Sequence, residues 1–125
     1  MIKDIEQEAK EIQAYLEIIC SENPVEMVER LSILNVYMAR TGVLLADAIR
    51  IKDAVVNALF RQEYDRIKGL SPSVAKEYIN SCTADENRLI VWLDRLNKAC
   101  THHSENFRTM ISFAKQQMDL ERRGY

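Results

Sequence analysis

Glycine and proline are nearly absent from this chain. Three Gly and two Pro in 125 residues leave little material for tight turns, which argues against an all-β fold. The three cysteines, Cys20, Cys82 and Cys100, are an odd number, far apart and without CxxC spacing, so no disulfide framework is expected. No charge of one sign dominates. The net charge of −2 excludes the broad basic field that drives non-specific nucleic-acid binding. No apolar run approaches the ~20 residues that span a bilayer. Met1 to Ile12 is charged and amphipathic rather than a signal peptide. Cytoplasm is the expected compartment, with no membrane partner.

Catalytic signatures are missing as well. The chain has no Gly-rich phosphate loop, no GxGxxG and no HExxH. Cys100-Thr101-His102-His103 holds metal-ligand residue types, with Cys100 and His103 at i, i+3. A zinc site needs three or four ligands, Cys82 lies eighteen residues away, and neither His has a Glu three residues before it, as di-metal bundles require. A thiol in the middle of a helical seam is ordinarily inert. The expectation is therefore no catalytic residue, no metal and no cofactor: not an enzyme.

Helical periodicity fills the space left by these absences. Ile2, Ile5, Ala9, Ile12, Leu16 and Ile19 are spaced by three and four residues, an amphipathic stripe that predicts a helix over 2–20. This segment is acidic, with two Lys against six Asp or Glu in residues 1–23, as a solvated outer face would be. Ser21-Glu22-Asn23-Pro24 then ends one helix and starts another, with Asn23 as N-cap, Pro24 at the first helical position and Glu26 at the third.

The second segment is predicted to run over 24–68. Met27, Met38, Ile49 and Phe60 recur every eleven residues, and so do Leu34, Leu45, Val56 and Ile67. That period, 3.67 residues per turn, is close to a straight helix. Gly42 falls inside the pattern and marks either a kink or a close helix contact. Gly69-Leu70-Ser71-Pro72 supplies a stop and a restart. The third segment, 72–122, carries one seam through Tyr78, Cys82, Leu89, Leu93, Leu96, Cys100, His103, Phe107, Met110 and Ala114. Thr83-Ala84-Asp85-Glu86 fits a capping box, so a break near Thr83 is a second option.

These segments give an all-α single domain: an elongated antiparallel helical hairpin plus a shorter N-terminal helix, bundle-like. Unbroken, the two long helices would measure roughly 67 and 75 Å and the first roughly 30 Å. Folding back from residue 23, the first helix is expected to reach only residue 44 and to lie against residues 96–116. The middle, Val43–Phe60 with Leu89–Leu93, is then left uncovered although it is the most apolar part of the chain. A two-helix hairpin buries one stripe per helix, and excess apolar surface needs a partner. Another copy is the simplest, giving a dimer or a higher bundle of hairpins packed side by side. The expected oligomer interface is Leu45, Ile49, Val56, Phe60, Leu89, Ile90, Val91, Trp92 and Leu93.

Nucleic acid is the alternative partner. Arg50 and Arg61 are eleven residues apart and so lie on one line, with Asn57 and Lys68 nearby. Arg108, Lys115, Arg122 and Arg123, then Tyr125, follow at the C-terminus. Arg50, Arg61, Lys68, Arg108 and Lys115 are the candidate phosphate contacts, although alternating acidic residues favour ordinary solubilising charge.

Leu34-Asn35-Val36-Tyr37-Met38-Ala39-Arg40-Thr41-Gly42, Leu70-Ser71-Pro72-Ser73-Val74, and Trp92-Leu93-Asp94-Arg95-Leu96-Asn97 through Thr101-His102-His103 to Ile111-Ser112-Phe113-Ala114-Lys115 together resemble small all-helical accessory proteins of phages and related mobile elements. These are often encoded near DNA-recombination functions. The similarity spans most of the chain. Its motifs have no assigned chemistry, so no functional residue is carried over. What the resemblance implies is a phage or prophage accessory protein with an unidentified protein partner.

Overall fold

A computed structural model describes residues 1–124. The chain is all-α. Among the described residues there are five helices: α1 (Ile2–Leu16), α2 (Pro24–Gln62), α3 (Tyr64–Lys68), α4 (Pro72–Cys82) and α5 (Ala84–Arg122). None is long and apolar enough to cross a membrane.

Local chemistry sets most of the boundaries. The Asn23 side chain accepts the Val25 backbone N–H at 2.9 Å, with Pro24 in the first turn of α2. Ser71 does the same for Val74 at 3.4 Å, with Pro72 following. Gly69 caps α3 in the ordinary helical region (φ −81°), so the turn needs no left-handed glycine.

The chain takes the second option at Thr83: the long third helix is broken there into α4 and α5, but no capping box forms. Thr83 Oγ1 donates back to the Ile79 carbonyl at 2.8 Å and accepts from Asn87 Nδ2 at 3.2 Å. Its proton goes to the turn behind it and its oxygen accepts the Asn87 side chain rather than a backbone N–H of α5, so it makes no side-chain cap. Gly42 makes no break at all, and α2 runs through it. A second break falls at Glu63 (φ −117°, ψ 24°).

The eleven-residue lines explain that second break. Eleven residues of an ideal helix turn through three turns plus about 20°. Each repeat is therefore displaced around the helix. Met27 is buried, Met38 half-buried, and Ile49 and Phe60 are 42% and 43% exposed. Likewise Leu34 is buried and Leu45 and Val56 are half-buried. The break at Glu63 resets the phase, and Ile67 on α3 is buried again.

α2 and α5 run in opposite directions along one another. Asn97 of α5 lies level with Met38 and Thr41 of α2, and Phe107 lies level with Arg30. α1 lies on one side of this pair. Ile5, Ala9 and Ile12 pack on Leu44, Ala48, Leu89, Leu93 and Leu96. Gln13 accepts from Trp92 Nε1 at 3.3 Å. Glu8 takes a bidentate pair from Arg40 at 2.5 and 2.8 Å, and this holds its carboxyl below the usual carboxylate range.

Two expectations are corrected here. The first helix ends at Leu16, not at residue 20, leaving Ile18 exposed and Ile19 94% exposed. Arg30, itself buried, stacks on Tyr15 and donates to the carbonyls of Tyr15 and Leu16 at 3.1 and 3.5 Å, meeting the end of α1 with a cation. Nor does α1 cover only the open end; it covers the middle. Residues 17–23 connect the helices outside any helix. Extended chain advances about 3.3 Å per residue against 1.5 Å in a helix, which carries α1 farther along the pair.

Candidate interaction surface

Covering one side of the α2–α5 pair exposes the other. Leu31, Met38, Leu45, Ile49, Val56 and Phe60 of α2 fall within a sector of about 60° on a helix of 3.6 residues per turn. Each is half-buried or exposed. The sector lies beside the buried one of Met27, Leu34, Thr41, Leu44 and Ala48, on the far side from Tyr37 and Arg40, which meet α1. From α5, Ile90 is half-buried and Val91 is 50% exposed. Leu45, Ile49, Ile90 and Val91, with Asp94, Arg95 and Lys98, line a shallow groove of about 490 Å³.

This divides the nine expected interface residues. Ile49, Val56, Phe60 and Val91 do not pack on the core that α1 closes, whereas Leu45 and Ile90 are half-buried against its edge. Leu89 and Leu93 are buried in the core against α1, and Trp92 packs on its edge. The five-residue run Leu89–Leu93 looks apolar on every side because one part of its circumference meets α2, another meets α1 and a third meets solvent.

Leu31 and Met38 extend the stripe and were not among the expected residues. Their signal is the seven-residue spacing 31–38–45, with 42–49–56 alongside. The eleven-residue lines obscure it. Gly42 occupies this sector too. Beyond its chain neighbours and the adjacent turns of its own helix backbone, no atom of the described residues lies within 4 Å of where its Cβ would stand, so no packing contact within the described chain requires the glycine.

The basic candidates are not brought together. Arg50 is held by Asp47, Arg61 donates to the Asn57 carbonyl at 3.4 Å, and Lys68 pairs with Asp65 at 3.5 Å. Arg108 and Lys115 are exposed on α5, but they lie level with the start of α2. Along the pair, Arg108 stands about 30 Å and Lys115 about 40 Å from Arg50. Tyr125 lies outside the described residues. The five form no single phosphate-tracking line.

Cys100 and His103 are adjacent in the seam with little reactive character. Burial pushes the Cys100 thiol up, away from thiolate. Burial, then Arg30, then His102 push His103 below its ordinary value. Among the described residues no group of three His, Cys, Asp or Glu is placed to hold an ion. No family model, curated protein or solved structure matches the chain.

Proposed function

We propose that the chain is a non-enzymatic accessory protein, of the phage or prophage type that its sequence resembles, acting through protein–protein contact and first of all with a second copy of itself. In this reading the fold works as an elongated antiparallel hairpin. α1 seals one side, and the stripe from Leu31 to Phe60 on the other side is the working surface. A setting in DNA transactions rests on the resemblance alone.

The observation that carries the reading is the apolar stripe opposite α1, and its exposed area supports it. The chain exposes 8815 Å², about 1,900 Å² more than the ~6,900 Å² of a compact monomer of its mass. A standard interface removes about 800 Å² from each partner, so pairing along the stripe accounts for a substantial part of the excess.

Ile49→Glu places a charge in the stripe without touching the buried core, because Ile49 is already 42% exposed. The expected outcome is a change of solution molar mass from dimer to monomer with unchanged helicity. A single-chain mass for the unmodified protein at tens of micromolar removes the reading.

A further inference from the structure

We infer that the two copies pair antiparallel through α2, with the two-fold axis at Gly42. This inference rests on the self-association just proposed and specifies its geometry. Gly42 lies in the apolar stripe, between Met38 and Leu45, and is open to solvent with no neighbour at its Cβ position. Within a single chain it only weakens α2, because glycine is a poor helix former. On the axis of an isologous pair it lets two helix backbones approach closely where they cross.

Charge selects the direction. Asp94 lines the uncovered groove, and Thr101, Arg108, Lys115 and Arg122 follow it at seven-residue intervals along the same side of α5. With Glu105 and Asp119 interleaved among them, the open end of this face carries a small net positive charge. Its other end, toward the turn, carries Asp53 on α2 and Glu63 at the break that follows α2. Lys52 beside Asp53 dilutes this charge, and Glu63 already has a loose exposed pair with Arg66 at 3.8 Å.

Arg108 lies level with the start of α2, because Phe107 reaches Arg30. Measured along the pair, Arg108 and Lys115 stand about 20 and 30 Å from Gly42 toward the open end. Asp53 and Glu63 stand about 17 and 32 Å from Gly42 in the opposite direction. A two-fold axis at Gly42 brings Arg108 of one copy near Asp53 of the other, and Lys115 near Glu63. The same axis sets Met38 against Leu45 and Leu31 against the 52–56 turn. A parallel pairing places the basic ends together, and like-charge juxtaposition opposes it.

Cross-linking in the full chain tests the direction. In a Cys20→Ser, Cys82→Ser background that keeps the buried Cys100, Asn35→Cys and Ile49→Cys chains are mixed and oxidised. A disulfide needs Cα atoms within about 7 Å. The antiparallel pair gives the 35–49 heterodimer in excess over either homodimer. Homodimers at 35 or at 49 in excess overturn the antiparallel arrangement while leaving self-association intact. A protein with a single-chain molar mass before oxidation overturns both. Gly42→Arg, which sets bulk and like charge on the axis, is expected to abolish the dimer with helicity retained by circular dichroism. A Gly42→Arg protein that stays dimeric overturns the placement of the axis.

Discussion

Three side chains show how single residues fix this structure. Asn97 donates through Nδ2 to the Met38 carbonyl at 2.8 Å and to Thr41 Oγ1 at 3.0 Å, a polar latch that fixes the register of α2 on α5. Arg30 is buried where α1 ends. It is held by two carbonyls and the faces of Tyr15 and Phe107, and its Nε has no partner among the described residues. His103 feels that cation. Burial first, and Arg30 second, put its folded-state pKa below the ordinary 6.5. On acidification the unfolded chain therefore takes up this proton before the folded one does. The His103 contribution is full above about pH 6.5 and falls as the pH drops below it. Melting temperature should decline over this range, and His103→Gln should flatten that part of the profile. An identical profile for the variant would locate the acid sensitivity elsewhere.

At the scale of elements, α1 is the piece whose position decides which surface is free. It is held mainly by Ile5, Ala9 and Ile12, with Ile12 almost wholly buried. Truncating such a side chain costs about 2–5 kcal/mol. Ile12→Ala should lower unfolding stability by that order in chemical denaturation. Native-state hydrogen exchange should quicken in α1 ahead of α2 and α5. The element boundaries were legible where local chemistry writes them, at Asn23-Pro24 and Ser71-Pro72. They were less legible at Glu63, where nothing but accumulated helical phase calls for a break. The end of α1 was misread because Ile19 continues the apolar spacing. The helix instead stops at Leu16, where Arg30 seats on the Tyr15 and Leu16 carbonyls.

For the whole molecule, self-association makes a thermodynamic prediction that a monomer would not share. A state stabilised by a second copy gains stability by mass action. The melting temperature should therefore rise with protein concentration over a hundredfold range and stop doing so in Ile49→Glu. A concentration-independent midpoint for the unmodified chain would count against a functional dimer. The pairing inferred for two copies has a shape consequence: chains crossing at Gly42 would place their open ends at opposite extremes of the assembly.

The amino-acid pattern alone determined that the chain is helical, where the strongest caps fall, and that apolar surface exceeds what two packed helices bury. Those properties follow from local periodicity and capping, which need no distant partner. It did not determine which apolar residues remain exposed. Leu89 and Leu93 are as apolar as Leu45 and Ile49, and no local signal separates them. The separation comes from the side on which α1 lies, and from how far seven residues of non-helical chain carry it along α2 and α5.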